Sequence, residues 1–135
     1  MNNKKVSPSI DAWMAEAKAH ENADKVGMYL THNGIVRKSA KAKVRLGEED
    51  TKDVTGMLFS YDQAKVDAAI EETYAMEGIY YVKAWLNEGE LCVGDDIMYV
   101  LIGGDIRPRV IDALQFLVGK LKNECVEETE IYEAD

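Results

Sequence analysis

This sequence predicts an α+β fold, a single domain over residues 1–135 with a mostly antiparallel sheet, on three observations. Helical and strand-like segments do not alternate strictly, which disfavours a doubly wound parallel sheet. A continuous apolar run, Ile97 to Ile102, lies between Gly94 and Gly103-Gly104 and suits a buried strand better than a helix. Directly after it, Val110, Ile111, Leu114, Leu117, Val118 and Leu121 recur at helical spacing, with Pro108 in the first turn, where a missing N–H costs least. Strand, tight loop and helix therefore form the centre of the chain, with Lys122 at the helix end.

The other elements follow in order. Ser7-Pro8 reads as a capped helix start, and Ile10, Trp13, Met14 and Ala17 share one face of a helix over residues 8–20. His20 at its end reads as a solvent-facing or last-turn histidine. Lys25 to Val36 is strand-like and delivers Arg37 to a strand end; His32 within it reads first as a hydrogen-bonded structural histidine of a half-buried strand, with a pocket-facing catalytic histidine as the alternative. Asp53 to Tyr61 reads as a second strand. Asp62 then caps a helix with Val66, Ala69, Ile70, Thr73 and Tyr74 inward, ending at Gly78. Ile79 to Leu86 is an aromatic and β-branched strand, joined to the central one by the turn-bearing link NEGELCVGDD. The acidic tail, residues 124–135, either adds an edge strand around Val126 and Ile131 or stays disordered until a partner binds.

Composition narrows the function. Hydrophobic residues make up 47% and charged residues 30%, the balance of a globular chain. The net charge of −9 argues against nucleic-acid binding, which needs a basic footprint. No apolar run is long enough to span a bilayer, and MNNKKVSPSID lacks the apolar core of a signal peptide, so the expected location is the cytoplasm. Cys92 and Cys125 have no metal or redox spacing and read as free thiols; the Gly103-Gly104 pair is neither a dinucleotide fingerprint nor a P-loop. No metal or cofactor is expected.

Positive charge is nevertheless clustered. Residues 37–45 hold Arg37, Lys38, Lys41, Lys43 and Arg45 without an acid, which fits either an anion site or a solvated loop. Arg107 and Arg109 stand where the last helix begins, and the unpaired N–H groups there favour an anion. Arg107 and Lys122 are 15 positions apart, roughly 22 Å on a regular helix. If both serve one site, a dimer must bring the loop of one subunit to the helix end of the other.

The succession GIVR (34–37), GELCVGDDIMYVLI (89–102), a short loop carrying Arg107, and IDALQFLVGKLK (111–122) resembles the large, catalytic subunit of molybdopterin synthase. The resemblance covers about residues 25 to 123 in order. It implies an α/β-hammerhead-like domain, a homodimer through the large subunit, and a small ubiquitin-like sulfur carrier with a C-terminal Gly-Gly bound at each end. The implied activity is sulfur transfer from the carrier thiocarboxylate to cyclic pyranopterin monophosphate, giving the dithiolene of molybdopterin in molybdenum cofactor biosynthesis. Residue by residue, it implies Lys122 as the catalytic cation, with Arg37 and Arg107 as substrate-binding arginines; Arg109 and Lys43 add positive charge on the two sequence segments that would hold phosphate.

Departures accompany the match. Ile106 stands where the family usually has a loop histidine, Leu86-Asn87 replaces a His-Arg pair, and Thr129 lies nearest the family's second tail lysine. The alternative expectation is therefore a non-catalytic homologue that keeps the fold as a binding or scaffold protein.

Overall fold

In a computed structural model of the chain, residues 2–47 and 52–133 are described. Six strands form two antiparallel three-stranded sheets, in line with the α+β expectation. The first holds β1 (Met28–Ile35), β5 (Asp96–Gly104) and β3 (Ile79–Leu86), with β5 in the middle. The second holds β4 (Gly89–Cys92), β2 (Val54–Tyr61) and β6 (Val126–Tyr132), with β2 in the middle. The helices are α1 (Ile10–Lys18), α2 (Lys41–Leu46), α3 (Gln63–Tyr74) and α4 (Arg107–Lys120).

The apolar run that marked the central strand is the most buried part of the chain: Met98, Val100, Leu101 and Ile102 are all at 0% exposure. Being buried on both faces explains why β5 reads as a continuous run and not as an alternation. On one face it joins Val110, Ala113, Leu117 and Leu121 of α4 and its C-terminal turn. On the other, Leu101 meets Trp13 and Ala17 of α1 together with Tyr81. The amphipathic stripes of both helices thus cover opposite sides of one sheet. No described helix is long and apolar enough to cross a membrane.

Local chemistry corrects several boundaries. Ser9, and not Ser7, caps α1 by accepting from the Ala12 N–H, because Ser7 Oγ is committed to Asp96. Asp62 caps α3 as expected, accepting from the Lys65 N–H. That helix ends at Tyr74, and Gly78 serves the turn into β3 with φ of 79°. The link between β3 and β5 contains a strand, β4, which gains its order from pairing with β2 and not from any apolar run of its own. The second half of the basic island, from Lys41 to Arg45, forms α2 together with Leu46. The tail takes the ordered alternative, since β6 pairs along β2 from Tyr61↔Val126 to Val54↔Tyr132.

Candidate functional site

The two sheets and α2 enclose a cavity of about 180 Å³. β1 and its exit contribute His32, Gly34, Ile35 and Arg37; α2 contributes Lys41 and Arg45; β6 contributes Glu128 and Glu130; and Lys122 enters from the turn after α4. Met57, Ile97 and Met98 form the apolar floor. Arg37 and Lys122, 85 positions apart in sequence, are therefore brought to one place, with four cations facing two carboxylates.

Local backbone explains these placements. Arg37 follows the last pairing of β1 with β5, and its Nε donates to the Ser39 carbonyl at 3.1 Å, which fixes the guanidinium beside the island. Lys41 and Arg45 lie four apart on α2, so they share a face. The helix expected to stop at Lys122 instead continues into a π-helical turn, Leu121–Cys125. Leu121 and Cys125 are buried there, and Lys122 reaches the cavity from between them. Turns of this kind are frequent at functional sites.

Glu128 and Glu130 point inward although their strand is acidic and exposed in composition. Glu130 accepts from the Lys41 N–H at 3.0 Å at the start of α2, and Glu128 pairs with Lys41 Nζ at 3.2 Å. Lys41 is thereby occupied. Lys122 and Arg45 make no ion pair among the described residues.

His32 departs from the expectation of a hydrogen-bonded structural histidine. Its Nε2 is buried and has no hydrogen-bond partner among the described residues. Burial, and next the positive charge of Lys122, push its pKa below the ordinary value of 6.5. His20 behaves as expected, just past α1 with its ring edge-on to Tyr81.

The remaining predicted residues lie elsewhere. Arg107 is exposed at the start of α4 and does not line this cavity. Arg109 is held by Asp105 at 2.7 Å and Glu77 at 3.3 Å, an arrangement that ties the loop to the helix. Lys43 is on α2, with its side chain outside the described residues. Thr129 is exposed and lines a separate groove with Asn2, Leu58 and Glu127. Asn87 is 2% exposed and structural: it accepts from the Lys5 and Glu88 N–H groups and donates to the Asp96 carbonyl. Burial, and next Glu124, push the Cys125 thiol up, which fits an inert cysteine.

Comparison with known proteins places the fold. A family described as "MoaE protein" matches residues 7–124. No curated protein matches the chain significantly. Among solved structures, molybdopterin synthase from Staphylococcus aureus superposes with a TM-score of 0.73 at 15% identity, covering 100% of this chain and 95% of that one. A complex of subunits 1 and 2 of the molybdopterin-converting factor from Helicobacter pylori gives 0.65 at 16% identity, covering 93% and 77%. The molybdopterin biosynthesis MoaE protein from Burkholderia ambifaria gives 0.64 at 18% identity, covering 97% and 88%. At these identities the likeness is one of fold.

Proposed function

The chain belongs to the MoaE protein family, and from that premise we propose that it is the large subunit of a molybdopterin synthase acting in molybdenum cofactor biosynthesis. It takes sulfur from the thiocarboxylated Gly-Gly end of a small carrier and transfers it to cyclic pyranopterin monophosphate. The observation that carries this reading is the convergence of Arg37, Arg45 and Lys122 on one partly enclosed cavity in a protein of net charge −9.

The chemistry needs what the cavity contains. Guanidinium groups bind phosphate through paired N–H donors, which suits Arg37, with Arg45 adding to the positive field. Lys122 stabilises the negative charge that develops as the thiocarboxylate sulfur attacks, a role for a compact ammonium held at the cavity wall. Arg107 is on the order of 20 Å from Lys122 along α4, so it serves this cavity only from a second copy in a homodimer. Arg109 supports that role by holding the loop through Asp105.

One observation favours a second reading, a scaffold that binds a carrier without turnover: Glu128 and Glu130 occupy the cavity wall and partly offset its cations. Subunit complementation separates the two. Arg107→Ala and Lys122→Ala are each expected to be inactive, whereas exchanging subunits of the two variants restores about a quarter of wild-type turnover. Half the dimers are then mixed, and each has one intact site of two. No recovery in demonstrably mixed dimers contradicts the shared site.

A further inference from the structure

The sulfur-transfer reading leaves one buried group without a task. His32 lies on β1 between Leu30 and Gly34, on the sheet face that carries the core, and its ring borders the cavity. A buried polar nitrogen left unpaired carries its full desolvation penalty, so Nε2 needs a partner that the described residues do not supply. The cavity, about 180 Å³ and polar, has room for water beside a substrate group. Gly34 keeps the approach open: a Cβ there would stand 3.7 Å from Nε2 and 3.3 Å from Met98 Cγ.

Atom balance identifies a step that requires such a nitrogen. A carrier that arrives as a thiocarboxylate and leaves as a carboxylate must gain an oxygen. Once its sulfur has bonded to the substrate carbon, with the C–O bond at that carbon broken and the oxygen substituent leaving, carrier and substrate are joined as a thioester. Water then adds to the carrier acyl carbon, the acyl C–S bond breaks, the carrier departs as the acid and the substrate keeps the sulfur as a thiol. One proton must leave the water during attack, and one must reach the departing sulfur. No oxidant or reductant enters.

Most cavity groups are poorly suited to accept that proton. Guanidinium groups do not act as bases in proteins, the lysine ammonium groups are donors, and the two carboxylates are engaged by Lys41. We propose that His32 Nε2 accepts the proton of the water that cleaves the carrier–substrate thioester and returns it to the departing sulfur. This assignment rests on the sulfur-transfer reading of the same cavity. Burial and Lys122 keep the imidazole in the neutral, accepting form at pH 7. Arg37, Lys41 and Arg45 act in the same sense as Lys122, and Glu128 and Glu130 in the opposite one. β2 and β5 line the cavity with apolar side chains, and α4 packs against the sheet through its apolar face.

Single-turnover reactions with thiocarboxylated carrier and cyclic pyranopterin monophosphate, followed by intact-mass spectrometry, test the assignment. His32→Phe and His32→Gln are expected to form the covalent carrier–substrate adduct as the wild type does, but to hydrolyse it about 10²-fold more slowly. Wild-type hydrolysis should rise with pH to a plateau, with a midpoint below 6.5, and both variants should lose that rising limb. Equal thermal midpoints for at least one variant establish that the effect is not unfolding. As an independent readout, the His32 imidazole should titrate by NMR below the ordinary histidine value and move upward in Lys122→Ala. Unchanged adduct hydrolysis and pH profile in the variants, beside an active wild type, overturn the role of His32 and leave the sulfur-transfer reading standing. Absence of both adduct and product from the wild type overturns both.

Discussion

Lys122→Ala is expected to lower the rate of sulfur transfer by about 10²- to 10³-fold, the usual effect of removing one preorganised donor from a site where charge develops. The change should leave the fold intact, because Lys122 is exposed and makes no ion pair among the described residues; surface substitutions of that kind usually stay within about 0.5 kcal/mol. Carrier affinity should change far less than turnover if Lys122 acts chiefly in the transition state. Measuring carrier affinity and single-turnover rate on the same preparation separates these effects. A parallel fall in both, with no specific loss of rate, would make Lys122 a docking residue.

Leu117→Ala has the largest expected effect on stability, about 2–5 kcal/mol. Leu117 is at 0% exposure, on the face of α4 that meets β5, in the same core cluster as Val110, Ala113 and Leu121. Truncation leaves a cavity that a close-packed sheet and helix cannot fully collapse. Urea denaturation should show a lower midpoint with an unchanged slope. Because α4 carries Arg107 at one end and leads into the Lys122 turn at the other, some loss of turnover should accompany the loss of stability. A shift below about 0.5 kcal/mol would mean that this face of α4 does not form the core described here.

The contrast between these residues shows what the sequence makes legible. Burial on both faces makes β5 an unbroken apolar run, and one-sided burial gives α4 a helical stripe, so both are visible locally. The Asp62 cap is visible for the same reason, since its acceptor and donor lie three residues apart. β4 was hidden because its order comes from β2 and not from its own four residues. α2 was hidden because RKSAKAKVR has no apolar stripe, although the spacing of Lys41 and Arg45 was a usable signal for one shared face.

In the site, the family resemblance paired Arg37 with Lys122, and the cavity now holds both. The inward glutamates were not legible. Glu130 finds its donor on Lys41, 89 residues away, and nothing in the acidic tail announces that contact. Ser7 misled for a similar reason, because its long-range partner Asp96 leaves the capping role to Ser9. His32 is the opposite case: the described residues supply no partner for its Nε2, and the assembled cavity fits the pocket-facing alternative.

The most direct test of the sulfur-transfer assignment is a single turnover of the wild-type chain with a thiocarboxylated Gly-Gly carrier and cyclic pyranopterin monophosphate, quantified as dithiolene product. The account predicts product in stoichiometric relation to the thiocarboxylate consumed, two sulfurs for each dithiolene formed. Carrier binding with no product and no covalent adduct would contradict it and identify the chain as a scaffold.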